Sequence, residues 1–131
     1  MAESMATFLM FQDGRAEEAM RWYVSLFGGT IERIDRWGED EPGETGRVKY
    51  ASFTLAGHAL RCMDSPPVHA FGFTPSVSLF VDCADEAEVD RLFTALSEGG
   101  QVLMPLGEYE FSRRFGWCND RYGVSWQIGL V

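Results

Sequence analysis

An offset of about 69 to 71 residues lays Tyr23 on Phe93, Leu26 on Leu96 and Gly28-Gly29 on Gly99-Gly100. Self-similarity at that spacing restricts the chain to two copies of one supersecondary unit. In the first copy, residues 6–12 read as a buried strand ending at the turn signal Asp13-Gly14. Ala16, Ala19, Met20, Tyr23, Leu26 and Phe27 then recur at helical spacing until the double glycine stops them. Residues 30–37, 47–55 and 58–64 follow as strands, the last two a hairpin turning at Ala56-Gly57. The second copy predicts a strand at 76–83, a helix at 86–97 and strands at 101–106, 111–119 and 125–131. Between the copies stands Ser65-Pro66-Pro67, which cannot continue a ladder because proline has no N–H to donate.

The expected fold class is therefore α+β: two βαβββ modules, about 5–65 and 73–131, joined by a linker at about 65–72 within a single domain of 131 residues. One helix covers only one face of each short sheet. The two uncovered faces brought together would make a half-barrel trough with the helices outside, a shape suited to a small molecule.

Composition excludes several classes of partner. Twenty acidic against eleven basic residues give a net charge of −9, which repels phosphate backbones and anionic membranes, so nucleic acid is not an expected partner. Much of that charge lies in Glu39-Asp40-Glu41 and Glu44, among Gly38, Pro42, Gly43 and Gly46, the composition of a solvated loop. No basic leader or run of eighteen apolar residues occurs, so the chain is expected to be soluble and cytoplasmic. Cys62, Cys83 and Cys118 are odd in number and lack C-x-x-C spacing; they read as buried thiols.

Strand alternation nominates the residues that enter the trough. Ser76, Ser78 and Phe80 are expected to face it, with Val77, Leu79 and Val81 turned to the helix. The same alternation places Thr7, Leu9 and Phe11 in the trough opposite Phe8 and Met10, and Ser125, Gln127 and Gly129 opposite Trp126, Ile128 and Leu130. Tyr109, Phe111, Trp117 and Trp126 are candidates for stacking on a flat ligand, and Gly116 beside Trp117 would let a ligand approach closely.

Two stretches carry a family resemblance: Ala16-Glu17-Glu18-Ala19 before Trp22-Tyr23 and Phe27-Gly28-Gly29, and the longer run from Phe115 through Trp117, Asn119-Asp120-Arg121-Tyr122-Gly123 and Trp126 to Ile128. Through them the chain resembles the vicinal oxygen chelate superfamily, which includes glyoxalase I, fosfomycin resistance proteins, bleomycin-binding proteins and extradiol dioxygenases, and within it the PhnB-like branch. The resemblance implies the glyoxalase/bleomycin resistance-like fold. Members of this branch often carry a demethylubiquinone methyltransferase label, yet the chain has no Gly-rich strand-to-helix loop of the usual methyltransferase fold. Metal-dependent relatives hold one divalent ion by His or Gln on the first strand, Glu on the fourth, His on the fifth and Glu on the last. Carried over, those positions fall on Thr7, on Arg61 or its neighbour Cys62, on Ser76 and on Gln127. Of these only Gln127 keeps a usable oxygen, and an arginine opposes a cation. A two-residue shift of register would substitute Gln12 for Thr7 or Asp64 for Arg61. His58, at a hairpin turn, and His69, in the linker, read as surface or loop histidines.

These readings predict a protein with no metal or other cofactor that binds a small apolar or aromatic molecule in a trough lined by Thr7, Phe11, Arg61, Ser76, Phe80, Trp117 and Gln127, and that forms a homodimer. No catalytic residue stands out, since nucleophile-elbow, phosphate-loop and H-E-x-x-H motifs are all missing. Two alternatives stay open: a divalent-metal-dependent isomerase, lyase or transferase, and a non-catalytic assembly partner.

Overall fold

The computed structural model describes residues 1–131 as two compact units, Met1–Gly72 and Phe73–Val131. In chain order the elements are β1 (Thr7–Phe11), α1 (Ala16–Phe27), β2 (Thr30–Arg36), β3 (Val48–Leu55) and β4 (His58–Asp64) in the first unit. The second holds β5 (Leu79–Cys83), α2 (Glu86–Ser97), β6 (Gln101–Tyr109), β7 (Ser112–Asn119) and β8 (Ser125–Leu130). The order βαβββ, given twice, is the one the repeat predicts, and the α+β class stands. No helix is long and apolar enough to cross a membrane.

Each unit builds a four-stranded mixed sheet of the same topology, β1-β4-β3-β2 and β5-β8-β7-β6. The first strand of each runs parallel to the last, and the remaining pairs are antiparallel. A parallel pair needs a long crossover, which in each unit passes through the helix and two further strands.

The helices form where the spacing of apolar residues predicts. Helix α1 buries Ala16, Ala19, Met20 and Tyr23 and packs on β3 and β4; α2 buries Val89, Leu92, Phe93 and Leu96 and packs on β7 and β8. The two N-termini are closed differently. In α2 the local Asp85 side chain accepts from the Glu88 backbone N–H, the usual aspartate cap. In α1 the residue in that place is Arg15, which offers no side-chain cap. The acceptor comes instead from the end of β4, where Asp64 Oδ1 receives the Ala16 N–H at 2.9 Å and Oδ2 receives the Val48 N–H at 3.0 Å.

The double glycines do two separate jobs. Gly28, at φ 65°, is the left-handed cap that ends α1, whereas α2 stops at an extended Glu98 and Gly99, at φ 76°, turns the chain so that the Gly100 N–H meets the Ser97 carbonyl. Gly29 and Gly100 allow close approach: a Cβ there would lie 2.1 Å from the Thr54 carbonyl oxygen and 2.0 Å from that of Asn119.

Two strand limits differ from expectation. Strand β5 begins at Leu79 rather than at Ser76, because Val77 N–H folds back to the Thr74 carbonyl in a turn beside Pro75. Strand β6 runs on to Tyr109, through bulged pairing around Gly107. The Ser65-Pro66-Pro67 segment stays with the first unit: Ser65 N–H bonds the Phe11 carbonyl, and Gln12 clasps the following residues, accepting from His69 N–H and donating to the Phe71 carbonyl.

Candidate functional site

Cross-strand register decides which residues share the uncovered face of each sheet. In the second unit Phe80 of β5 pairs with Gln127 of β8, Gln127 with Trp117 of β7, and Trp117 with Met104 of β6. These four side chains form one row on the face away from α2. Phe80 is 56% exposed, unusual for a phenylalanine within a sheet. The Trp117 indole N–H donates to Ser125 Oγ at 2.9 Å, and Ser125 Oγ in turn lies 2.9 Å from Ser78 Oγ, so the ring is fixed before anything binds. Next to the row, Phe115 is sealed by Phe80, Tyr109 and Phe111, whose ring centroids lie 6.1, 5.8 and 4.8 Å away. The absence of a side chain at Gly129 makes room for it, since a Cβ there would lie 3.2 Å from the Phe115 ring. The Gln127 amide makes no hydrogen bond within the protein.

The first unit carries the corresponding row. Phe8 of β1 pairs with Arg61 of β4, Arg61 with Ser52 of β3, and Ser52 with Arg33 of β2. Phe8 is 49% exposed and Arg61 is exposed. Phe8 thus occupies in the first unit the place of Phe80 in the second, and Arg61 the place of Gln127.

Three of the nominated residues fall elsewhere. Phe11 is only 2% exposed and pairs with Asp64, the residue that caps α1, so it lies under the helix with Leu9. Thr7 shares that parity, and its Oγ1 meets His58 Nε2 at 2.8 Å. The alternation of β1 is opposite to the one expected: Leu9 and Phe11, buried at spacing two, set the helix-facing side, which leaves Phe8 on the open one. Ser76 sits in the turn before β5, hydrogen-bonded to Thr74. Phe80, Trp117 and Gln127 do come together, and Arg61 lies on the open face of its own sheet.

Two further assignments change as well. Trp126 is buried on the helix side with its indole N–H on Asp120 Oδ2 at 2.9 Å. Gly116 serves helix packing rather than ligand approach, since a Cβ there would lie 2.4 Å from the Phe93 ring of α2.

The register also relocates the positions that hold a divalent ion in metal-dependent relatives. The residue beside Arg61 on the open face is Phe8, not Thr7, and the one beside Gln127 is Phe80, not Ser76. A phenyl ring beside a guanidinium in the first unit offers a divalent cation no donor, and a phenyl ring beside an amide in the second offers it a single neutral oxygen. Cys62 turns to the helix side, where burial pushes its thiol up to about 12 and keeps it protonated. The substitutes fail in the same way: both oxygens of Asp64 are taken by backbone N–H groups, and both ends of Gln12 hold the segment after β4. No group of three or more His, Cys, Asp and Glu side chains converges anywhere.

Sequence reasoning missed Phe8. Its signal was available in the 72-residue offset to Phe80, once the alternation of β1 is read from burial rather than from Thr7. A cavity of about 470 Å³ in the first unit was also missed. It lies among Gln12, Gly14, Pro42, Arg47, Asp64 and Pro67, but its polar groups are committed, Arg47 to Glu44 and the Gly14 carbonyl among them.

The family model described as 3-demethylubiquinone-9 3-methyltransferase matches residues 3–129. Among solved structures, the PhnB protein of Bacillus cereus is 51% identical over 98% of this chain and 100% of its own, with a TM-score of 0.93. Protein PA1353 of Pseudomonas aeruginosa is 31% identical, covers 98% of each chain and superposes with a TM-score of 0.86. The curated protein YjdN of Escherichia coli is 26% identical over 84 residues, a match spanning 64% of this chain and 56% of YjdN. The fosfomycin resistance protein FosX of Listeria monocytogenes, at 11% identity and a TM-score of 0.66, shares the fold. With the repeated βαβββ unit and a family match over nearly its whole length, the chain belongs to the PhnB-like family described as 3-demethylubiquinone-9 3-methyltransferase.

Proposed function

We propose that the chain is a metal-independent binding protein that takes a small apolar or aromatic molecule on the uncovered sheet face of its second module. The observation that carries this is the row Phe80–Gln127–Trp117, in which a largely exposed phenyl ring and a pre-positioned indole flank an amide with no partner. A flat ligand would cover Phe80 and stack on Trp117, gaining about 25 cal/mol per Å² of apolar surface removed from water. Gln127 would accept or donate the hydrogen bond that sets its orientation.

A methyltransferase reaction of the usual kind is not part of this reading. The β1–α1 connection has one glycine, Gly14, and the β5–α2 connection has none, whereas a nucleotide-like cofactor needs a glycine-rich loop opening onto a helix. A homodimer is the working form this reading expects, which sedimentation would test.

Binding is checked by titrating the protein with a panel of neutral aromatic amides, benzamide and 1-naphthamide among them, and following backbone amide shifts. Shifts at Phe80, Trp117 and Gln127, lost in Trp117→Ala, are expected. Affinity unchanged by that substitution across the panel counts against the site. Elemental analysis of untagged protein is expected to find far less than one divalent ion per chain, before and after metal addition; about one bound ion defeats the metal-independent reading.

A further inference from the structure

We propose that the uncovered face of the first module's sheet is an anion site, centred on Arg61 and selective for a small monocarboxylate with an apolar body. This rests on the reading above only in treating an uncovered sheet face as a binding surface, and every residue it uses lies in the first module.

The argument begins with the state of the basic side chains. The chain has eleven. Seven of them hold a carboxylate in an ion pair, and Arg91 and Arg121 have partners of their own. That leaves Arg61 and Arg113. Arg113 lies on the β6–β7 hairpin in a hollow it shares with Glu108 and Glu110, so its charge is locally balanced. Arg61 has no such company. Its neighbours across and along the sheet face are Phe8, Ser52, Ala59 and Met63, none of them charged. In a chain of net charge −9, a guanidinium left unpaired on an apolar surface is the exception.

The surroundings define what would fit. Ser52, directly across from Arg61, has a hydroxyl with no hydrogen bond in the protein, so two donors stand side by side on adjacent strands. A guanidinium presents a planar fork matched to the two oxygens of a carboxylate. Phe8 on one side and Met10 and Met63 along the face supply the apolar floor for the rest of the ligand. One free positive charge balances one negative charge. The next arginine in the row, Arg33, is already spent on Asp35 at 2.6 Å and on the Tyr50 ring, so a dianionic phosphate would find no second cation.

The test uses the full chain and matched probes: benzoate, 1-naphthoate and hexanoate, each beside its neutral primary amide, followed by backbone amide shifts and calorimetry. The carboxylates are expected to shift Phe8, Ser52 and Arg61 and to bind there about tenfold or more tighter than their amides. Arg61→Gln should remove that preference, and Arg61→Lys, which keeps charge but not the fork, should retain only part of it. The salt dependence of carboxylate binding should disappear in Arg61→Gln. The proposal is overturned if no carboxylate shifts these residues, if amides bind them as well as carboxylates do, or if Arg61→Gln binds carboxylates as the wild type does. Amide binding at Phe80 and Trp117 is read separately in the same spectra, so the proposed function can fail while the anion site stands, and the reverse.

Discussion

Replacing Asp64 with alanine should be among the most damaging single changes to the first module. Asp64 is 5% exposed, and its two carboxylate oxygens each accept one backbone N–H, from Ala16 at the start of α1 and from Val48 at the start of β3. Alanine leaves both donors without an acceptor in a place water does not readily reach. Each unsatisfied buried N–H costs about 1–3 kcal/mol, so the loss should be about 2–6 kcal/mol. Asparagine keeps one acceptor oxygen but turns an NH₂ toward the other donor, and should lose roughly half as much. The assay is equilibrium unfolding in urea. With a slope of about 1–3 kcal/mol per molar for a protein of this size, the alanine midpoint should fall by about 1–2 M with the slope unchanged. A midpoint within about 0.3 M of wild type would refute the reasoning, because it would mean that α1 and β3 keep their ends without the carboxylate. EDTA should leave the wild-type midpoint where it is, since Asp64 serves backbone donors and not an ion.

Two further perturbations test the frame around the open faces. Gly100→Ala and Gly29→Ala would drive a Cβ to 2.0 and 2.1 Å from a backbone carbonyl oxygen, and backbone cannot rotate away as a side chain does. Each should cost about 3 kcal/mol, the upper end for overpacking, whereas Gly57→Ala, at a turn with open space around it, should cost about 1 kcal/mol through its positive φ alone; equal midpoints for all three in urea unfolding would contradict this. Glu17 receives both guanidinium nitrogens of Arg36, at 2.8 and 3.0 Å, and that of Arg21 at 3.0 Å, and these partners, Arg36 foremost, hold its carboxyl down from 4.5 to about 2. Because the folded value lies below the unfolded one, the stabilisation is complete above the unfolded value and is lost as pH falls through about 2. The group is partly exposed, so Glu17→Gln should cost only about 1 kcal/mol or less at pH 7, and the gap between variant and wild type should close between pH 4.5 and 2; a gap independent of pH would rule the ion pairs out as its source.

Much of the fold is legible in the sequence because it is written in period and punctuation. The 3.6-residue spacing of Ala16, Ala19, Met20 and Tyr23, ended by Gly28-Gly29, locates α1, and its echo at Val89, Leu92, Phe93 and Leu96 locates α2. The open face is harder to read, because a strand's alternation has two phases and a single polar residue does not choose between them. Thr7 suggests the wrong phase for β1, and Phe11 goes with it. In β5 the serines at 76 and 78 give the phase that puts Phe80 on the open face, but not the strand's start, since the turn at Pro75 removes Ser76 from the sheet. Asp64 and Gln12 look like ligands in sequence because nothing there reveals that backbone N–H groups two elements away have already claimed them.

The two modules agree where packing constrains them and differ where it does not. Toward the helix, Leu9, Cys62 and Ala51 form a buried row in one sheet, as Val81, Ile128 and Gly116 form a close-packed row in the other, with Tyr23 and Phe93 filling the matching places on α1 and α2. These positions answer to volume: Gly116 must be small because the Phe93 ring lies against it. On the open faces, identical register carries unlike chemistry, Phe8–Arg61–Ser52 in one module and Phe80–Gln127–Trp117 in the other. Only the phenylalanine is common. A fold that needed these positions for stability would repeat them, as it repeats the helix side, and this divergence is what the proposed binding surfaces draw on. Under the two proposals the rows divide the labour, the first offering charge and hydrogen-bond donors, the second aromatic surface and an amide, and substitutions within one row should change what its own sheet recognises while leaving the unfolding midpoint almost where it was.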